Sequence, residues 1–368
     1  MSEKRGDGAS SQSVAAPGAH SLAEILSQPQ FWTRCVEALQ RPGSLDLQCQ
    51  YLHDAKEVMF IGCGSSYYIA LAAAASWKMI TGRRAQAIAA SELLLYPELV
   101  LAGSSGVAAV AISRSGRTSE TVRAAEFLER DKNIRTLAVT GTRSQALEQV
   151  TSSTLGLPTC EEQSTVMTRS FTAMLLGLQY LAAKVAGDEA LIAALTRLPK
   201  LAGAVMDALH PRIREFVRSR QFDDYVCLGQ GPFYGLACET ALKLTEMSVS
   251  YAQSFHTLEF RHGPKSIVGP ETLLFFLLSE QGYDAECDVL EEMKSLGATT
   301  LTIANRADER AREASDLLIE LNFELPELAR LEPYVFAGQL AGLYTGMKKG
   351  LDPDNPRNLS RVVILDED

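Results

Sequence analysis

The 368-residue chain has no pair of cysteines at CxxC spacing and no histidine beside a cysteine at ligand spacing, so no metal site is expected. Its seven cysteines (Cys35, Cys49, Cys63, Cys160, Cys227, Cys238 and Cys287) form an odd, scattered set, which reads as the reduced thiols of a cytoplasmic protein. No apolar run approaches the roughly 20 residues that span a bilayer, which argues against a membrane partner. The first 19 residues are rich in Gly, Ser and Ala and lack an apolar signal core, so a disordered tail is expected over 1–19. Positive charge is also in short supply. Lys and Arg number 35 against 45 Asp and Glu, a formal net charge of -10, which argues against a nucleic-acid partner. A small anion needs only a local pocket of donors and stays open. The Walker pattern GxxxxGK[ST] is absent from the glycine-containing loops described below, so neither a nucleotide triphosphate nor any other cofactor is expected.

With 46% hydrophobic and 22% charged residues, the composition suits a globular chain of two domains. An apolar run over 57–62 ends at Gly62 and leads through Cys63-Gly64-Ser65-Ser66 into a helical stretch from about Tyr67 to Met79. A second run, Val107 to Ile112, leads through a Ser/Gly loop into a helix from about Ser119 to Arg130, and a third spans Thr136 to Thr140. This order predicts a parallel sheet wound with helices. It then recurs as Tyr225 to Leu228 with a helix to about Met247, Thr272 to Leu278 with a helix through Leu296, and Thr300 to Ala304. Gly62 to Gly229 is 167 residues, Ser113 to Ser279 is 166 and Leu137 to Leu301 is 164. A near-constant offset across three elements indicates a duplicated unit. The expected fold class is α/β, two tandem units that are each a flavodoxin-like three-layer sandwich. Residues 20–50 form a helical lead-in, 51–200 the first unit, 211–350 the second, and 351–368 a tail that closes the site.

In such folds ligands sit at the carboxyl ends of the strands. There the first unit offers Gly64, Ser65 and Ser66 in one loop and Ser113-Arg114-Ser115-Gly116-Arg117-Thr118 in the next. Hydroxyls, a close-approaching glycine backbone, helix N-termini and two arginines suit a phosphate dianion. The competing reading, in which Ser and Thr only cap helices, weakens when both successive loops show the pattern. The second unit reads Ser279-Glu280-Gln281-Gly282, with a carboxylate where an anion would have to sit. One anion site is therefore expected, in the first unit. Farther along, Glu239, Lys243 and Glu246 share one helix face. By spacing alone they are either a solvated ion pair or the wall of a polar cavity.

These loops carry a resemblance. Cys63-Gly64-Ser65-Ser66 is similar to the CGTS loop of sugar isomerase (SIS) domain proteins, and 113–118 to their SQSGET loop. Glu239-Thr-Ala-Leu-Lys243-Leu-Thr-Glu246 is similar to EGALKLKE, Arg261-His262-Gly263-Pro264 to KHGP, and Asn355-Pro356-Arg357-Asn358-Leu359 to QPRNL. The opening Glu24 to Trp32, the stretch Glu161-Glu162 with Met167-Thr168-Arg169-Ser170-Phe171-Thr172, the turn Phe260 to Ser266 and Asp354-Asn355-Pro356 point toward the galactosamine-6-phosphate deaminase/isomerase type, also called tagatose-6-phosphate ketose/aldose isomerase. The resemblance implies a sugar-phosphate ligand. It makes Glu246 the base for proton transfer between C1 and C2, with Glu239 and Lys243 in support, His262 for opening the sugar ring, and Thr168 among the binding residues. It also implies a homodimer or larger homo-oligomer in which His262 reaches the neighbouring subunit's site.

Two departures stand out. The amidotransferase domain of glucosamine-6-phosphate synthase has no counterpart, and the synthase's Schiff-base lysine after QPRNL is replaced by Arg361, whose guanidinium stays protonated. Isomerisation or deamination is then expected rather than glutamine-dependent synthesis. A fructose-amino-acid 6-phosphate deglycase and a non-catalytic sugar-phosphate sensor are the alternatives.

Overall fold

The computed structural model describes residues 16–143, 145–157 and 161–365. Residues 1–15, which hold most of the expected tail, and Cys160 lie outside them. Residues 16–19 belong to the folded body. The Gly18 amide donates to Asp352 Oδ1 at 3.0 Å, and helix α1 (Ala19–Leu26) opens at Ala19.

Two five-stranded, all-parallel sheets carry the fold. The first comprises β1 (Glu57–Gly62), β2 (Arg84–Ala89), β3 (Val107–Ser113), β4 (Thr136–Thr140) and β5 (Ser153–Gly156), in the order β2-β1-β3-β4-β5. The second comprises β6 (Asp224–Gly229), β7 (Tyr251–Phe255), β8 (Thr272–Leu277), β9 (Thr299–Ala304) and β10 (Leu317–Glu320), in the order β10-β9-β8-β6-β7. The orders coincide strand for strand, which is the duplication in three dimensions. In each sheet the strand order reverses beside the first strand, so the loops after β1 and β3 meet at the switch point where ligands bind. Central strands such as EVMFIG and TLLFFL are buried along nearly their whole length, because helices cover both faces.

Helix α4 (Ser65–Thr81) follows β1, α7 (Ser119–Arg130) follows β3, and α11 (Phe233–Ser248) follows β6. Between the units, α9 (Arg169–Ala186) and α10 (Glu189–Ser219) pack on the lead-in helix α2 (Gln28–Leu39). α10 runs unbroken through residues 201–210, where the sequence places the junction between units, despite Pro199 and Pro211 inside it. The main contact between the two halves is made by helices. α11 lies between α4 and α14 (Phe336–Lys348). Its neighbours approach so closely that a Cβ on Gly338 would sit 2.3 Å from Thr240 Cγ2, and one on Gly342 2.8 Å from the Lys243 carbonyl oxygen. On the other side, a Cβ on Gly235 would meet the Tyr68 carbonyl oxygen at 2.7 Å. Side-chain-free crossings of this kind fix α11 against sliding, and with it the charged residues it carries.

Just ahead of α14, Glu332 is wholly buried and neither carboxylate oxygen has a hydrogen-bond partner. Burial pushes its pKa up to about 8, and Cys35 is the titratable side chain that feels its charge. The folded state therefore holds a proton that the unfolded chain releases near 4.5. The associated stability is whole below that pH and is lost as the pH rises to about 8, at about 1.36 kcal/mol per displaced unit. Thermal unfolding at pH 5 and pH 8.5 is expected to show a smaller drop for Glu332→Gln than for the wild type. Equal drops would mean that Glu332 is charged in the folded state.

Candidate active site

At the end of β1 the chain must turn at once into α4. A Cβ on Gly62 would lie 2.6 Å from the Ser66 carbonyl carbon, and Gly64 takes φ 54°, so both positions need glycine. The second unit repeats this at Gly229, where a Cβ would lie 2.5 Å from the Phe233 carbonyl oxygen, and at Gly231, φ 55°. The turn is the same but the chemistry differs. Ser65 and Ser66 of the first unit are matched by Pro232 and Phe233 at the 167-residue offset.

In the loop after β3, Ser113 is buried. Its Oγ accepts the Gly116 amide at 3.1 Å and lies 3.2 Å from Thr118 Oγ1 and 3.5 Å from Ser115 Oγ. Thr118 is the residue before α7, yet its side chain makes no cap hydrogen bond, and Gly64 holds the same place before α4. The hydroxyls of Ser65, Ser66, Ser115 and Thr118 instead line a cavity of about 180 Å³ at the switch point. Ser113 sits behind them and orients the loop. Arg114 also lines the cavity, but its guanidinium is committed within the protein. It pairs with buried Glu162 at 3.2 Å and donates to the carbonyls of Thr165 and Arg361 at 3.1 and 2.9 Å. Glu162 also accepts Thr168 N and Oγ1 at 2.8 and 3.0 Å and Ser170 N and Oγ at 2.9 and 2.5 Å. Thr168 is thus fully buried at the start of α9 and does not line the cavity.

The corresponding loop of the second unit is filled by the protein itself. Glu286, fully buried in the first turn of α12 (Tyr283–Ser295), accepts Ser279 N at 2.7 Å and Ser279 Oγ at 2.9 Å. Glu327 accepts the Glu280 amide at 2.5 Å. Burial pushes the Glu286 pKa up to about 7, against the two Ser279 bonds. Internal carboxylates occupy the donors that the first unit leaves facing its cavity.

The opposite wall of the first-unit cavity comes from α11. Lys243 is completely buried. Its Nζ lies 2.5 Å from Glu246 Oε2, 3.3 Å from Glu239 Oε1 and 3.3 Å from Ser65 Oγ. Burial works against its ammonium, but Glu239 and Glu246 outweigh it and the pKa is raised. Glu239 is also fully buried. Desolvation pushes its pKa up to about 7 although Lys243 opposes this, while Glu246 adds to it. Glu246 keeps 18% side-chain exposure and lines the cavity, so it is the member of the triad that a ligand would meet. The solvated-face reading of this stripe is ruled out by the burial of Glu239 and Lys243.

A third wall is the tail after α14. Ser360, Arg361, Val362 and Val363 line the cavity, and the Val363 carbonyl accepts the Ser119 amide at 3.3 Å. The Arg361 guanidinium donates to the Glu162 carbonyl. Asp354 ties the tail down, accepting the His20 and Ser21 amides at 3.0 and 2.7 Å while its carbonyl takes the Thr165 amide at 2.9 Å. Its role as a helix-end anchor leaves a signal in sequence only as an acidic residue near a far-off helix start. Cys63, Thr165, Val166 and Met167 complete the lining; Cys63 and Met167 stand inside motifs that give them no role, and neither motif nor spacing marks Thr165 or Val166.

His262 does not line this cavity. It is exposed, in a turn pinned by Arg261 and Lys265, which pair with Glu292 at 2.5 and 2.6 Å. Within one chain the structure brings together Glu239, Lys243, Glu246, Arg361 and the hydroxyl loops, and leaves His262 outside. Among the described residues no group of three or more His, Cys, Asp or Glu is placed to hold a metal ion, and no helix is long and apolar enough to cross a membrane.

Known proteins resemble this chain in sequence and fold. Glutamine–fructose-6-phosphate aminotransferase (isomerizing) of Pyrobaculum aerophilum is 27% identical over 356 residues, covering 94% of this chain and 57% of that protein. The enzyme of the same name from Helicobacter pylori is 27% identical over 357 residues, covering 93% and 58%. The chain thus spans little more than half the length of these relatives. The crystal structure of glucosamine-6-phosphate deaminase from Thermotoga maritima superposes with a TM-score of 0.76 at 28% identity, covering 94% of this chain and 100% of that one. Tagatose-6-phosphate ketose/aldose isomerase from Escherichia coli shares the fold with a TM-score of 0.81 at 22% identity, covering 96% and 98%. The SIS domain matches twice, over residues 51–184 and 223–334, one match for each sheet, and the chain belongs to the SIS domain family.

Proposed function

We propose that this protein moves a proton between C1 and C2 of a hexose or hexosamine 6-phosphate, and releases ammonia when C2 carries an amine. The observation that carries this reading is one small cavity with a hydroxyl cradle on one wall and Glu246, backed by Lys243, on the other. The phosphate meets Ser65, Ser66, Ser115 and Thr118 and the N-termini of α4 and α7. That grip leaves the far end of the sugar beside Glu246. Its carboxylate removes the C2 proton of the open aldose and returns it to C1. Lys243, 2.5 Å away, fixes the position of that carboxylate. With an amine at C2, the transfer gives an imine; water adds at C2, ammonia leaves, and a ketose 6-phosphate remains. His262 of a second copy opens the ring, which makes the working unit a homodimer or larger assembly. Arg361 cannot form the imine with the sugar that a lysine could, and this favours isomerisation or deamination over glutamine-dependent transfer.

A deglycase acting on a fructose-amino-acid 6-phosphate is the second reading. It needs room for a bulkier amine beside Glu246, whereas the adjoining chamber of about 550 Å³ shares Arg114, Ser115, Arg361 and Val362 with the cavity and not Glu246, which favours the first reading.

The test is a substrate panel of glucosamine 6-phosphate, galactosamine 6-phosphate, the neutral hexose 6-phosphates and a fructosyl-amino-acid 6-phosphate, with ammonia, amino acid and ketose followed separately. Thr118→Val is expected to raise KM about 10- to 150-fold, the loss of one hydrogen bond to a charged group. Ser279→Ala, in the self-filled loop, is expected to leave KM unchanged. Equal effects of the two substitutions would remove the first-unit cradle from the reading.

A further inference from the structure

The last turn of α11 separates two cavities. Glu246 lines the first. Val249 and Ser250 line a second, of about 520 Å³, where the C-terminal ends of α10, α11 and α14 meet the first residues of β6 and β7. Three residues of helix amount to about 4.5 Å along its axis, so the two cavities are neighbours through one turn of backbone.

The second cavity runs against the charge of the molecule. The chain carries a formal net charge of -10, yet Arg220, Lys348 and Lys349 converge here, with Asp223 the one carboxylate among the described residues that line it. Among the described residues, none of the three cations has a carboxylate within ion-pair distance. Lys348 donates to the carbonyls of Val217 and Arg220, and Lys349 to the Ser248 carbonyl at 3.2 Å and Ser250 Oγ at 2.8 Å. These carbonyls end α10 and α11, and each helix end contributes roughly half a negative charge. With Asp223 and the end of α14 included, about half a positive charge remains over.

The wall between the cavities is strained. Val249 closes α11 at φ 49°, ψ 42°, a left-handed conformation that a β-branched side chain adopts at a cost of order 1–3 kcal/mol. It is 38% exposed beside Tyr251 at 69%, so the strain does not serve to bury an apolar side chain. Together they present an apolar and aromatic flank next to the cations.

We propose that this cavity is a second anion site, for a small phosphorylated metabolite whose phosphate meets Arg220, Lys348 and Lys349 and whose body lies against Val249 and Tyr251, and that its occupancy acts on Glu246 through the last turn of α11. A ligand there draws Lys349 from the Ser248 carbonyl and fixes Val249, and both changes act on the turn that sets the Lys243–Glu246 contact.

Inorganic phosphate is the probe, titrated calorimetrically into the full chain. The wild type is expected to take two phosphates per chain. Arg220→Met and Lys349→Met are each expected to weaken one of them at least 10-fold, while Thr118→Val weakens the other. The Arg220 guanidinium lies over Phe216 and donates to Ser219 Oγ, and among the described residues it makes no ion pair, so its replacement serves as the second variant should Lys349→Met fail to fold. A single phosphate per chain, or two that neither substitution affects, overturns the site. For the coupling, saturating phosphate is expected to change kcat in the wild type but not in Arg220→Met. A change confined to KM would be competition at the cradle and would overturn the link to Glu246. The binding arm does not depend on which sugar reaction the protein performs.

Discussion

Glu246→Gln is expected to lower kcat about 10²- to 10⁴-fold, the usual contribution of a positioned base, while KM changes little. The substitution keeps size and removes the ability to accept the C2 proton, together with one of the two charges beside the Lys243 ammonium, whose other partner Glu239 remains. Because Glu246 is the member of the triad that reaches the cavity, its loss falls on the chemical step rather than on phosphate binding. Its partial exposure means that the fold survives, and an unchanged unfolding midpoint would confirm that the loss is chemical. Turnover within a few-fold of the wild type would take the base role away from Glu246.

Lys243→Met is expected to damage both the fold and the reaction. The ammonium is wholly buried with carboxylates on two sides, and removing one partner of a buried pair costs about 3–5 kcal/mol. Glu239 relieves part of that cost. Its pKa already stands at about 7 and rises further without the cation, so it stays protonated at neutral pH. Glu246 loses the partner that positions it at the cavity wall. Without its counter-ion the contact with Ser65 is also lost, and kcat is expected to fall about 100-fold or more. Denaturant midpoint and kcat, measured on the same preparation, check the two effects. A stable, active Lys243→Met would show that the triad is held together by packing alone.

Much of the fold is legible in the sequence, and what is not has a physical pattern. The three strands recognisable in each unit, such as Thr136 to Thr140, are central, buried on both faces and therefore written as apolar runs. The four that escape, β2, β5, β7 and β10, are the sheet edges. They are short, or only half covered, and RAQAIA or YAQSF carries no continuous apolar signal. The site divides the same way. Ser65, Ser66, Ser115, Thr118 and Glu246 stand out because loop and helix spacing put them at strand tips or on one helix face. Glu162 and Asp354 do their work across 48 and more than 300 residues of chain, to Arg114 and to Ser21, and no local pattern marks such partners. Arg114 reads as a phosphate ligand by its place in the loop. Its commitment to Glu162 becomes visible only when the start of α9 is brought beside it.

On the proposed reading the cradle belongs to one copy of the repeated unit and the working carboxylate to the other, and the packing of α4 on α11 brings them together. Division of labour has made the copies unequal and mutually dependent. On that reading, cutting α10 within residues 201–210, where the junction falls inside the helix, is expected to leave two fragments that are silent alone, with activity returning only on reassembly, at a rate set by how fast they find each other.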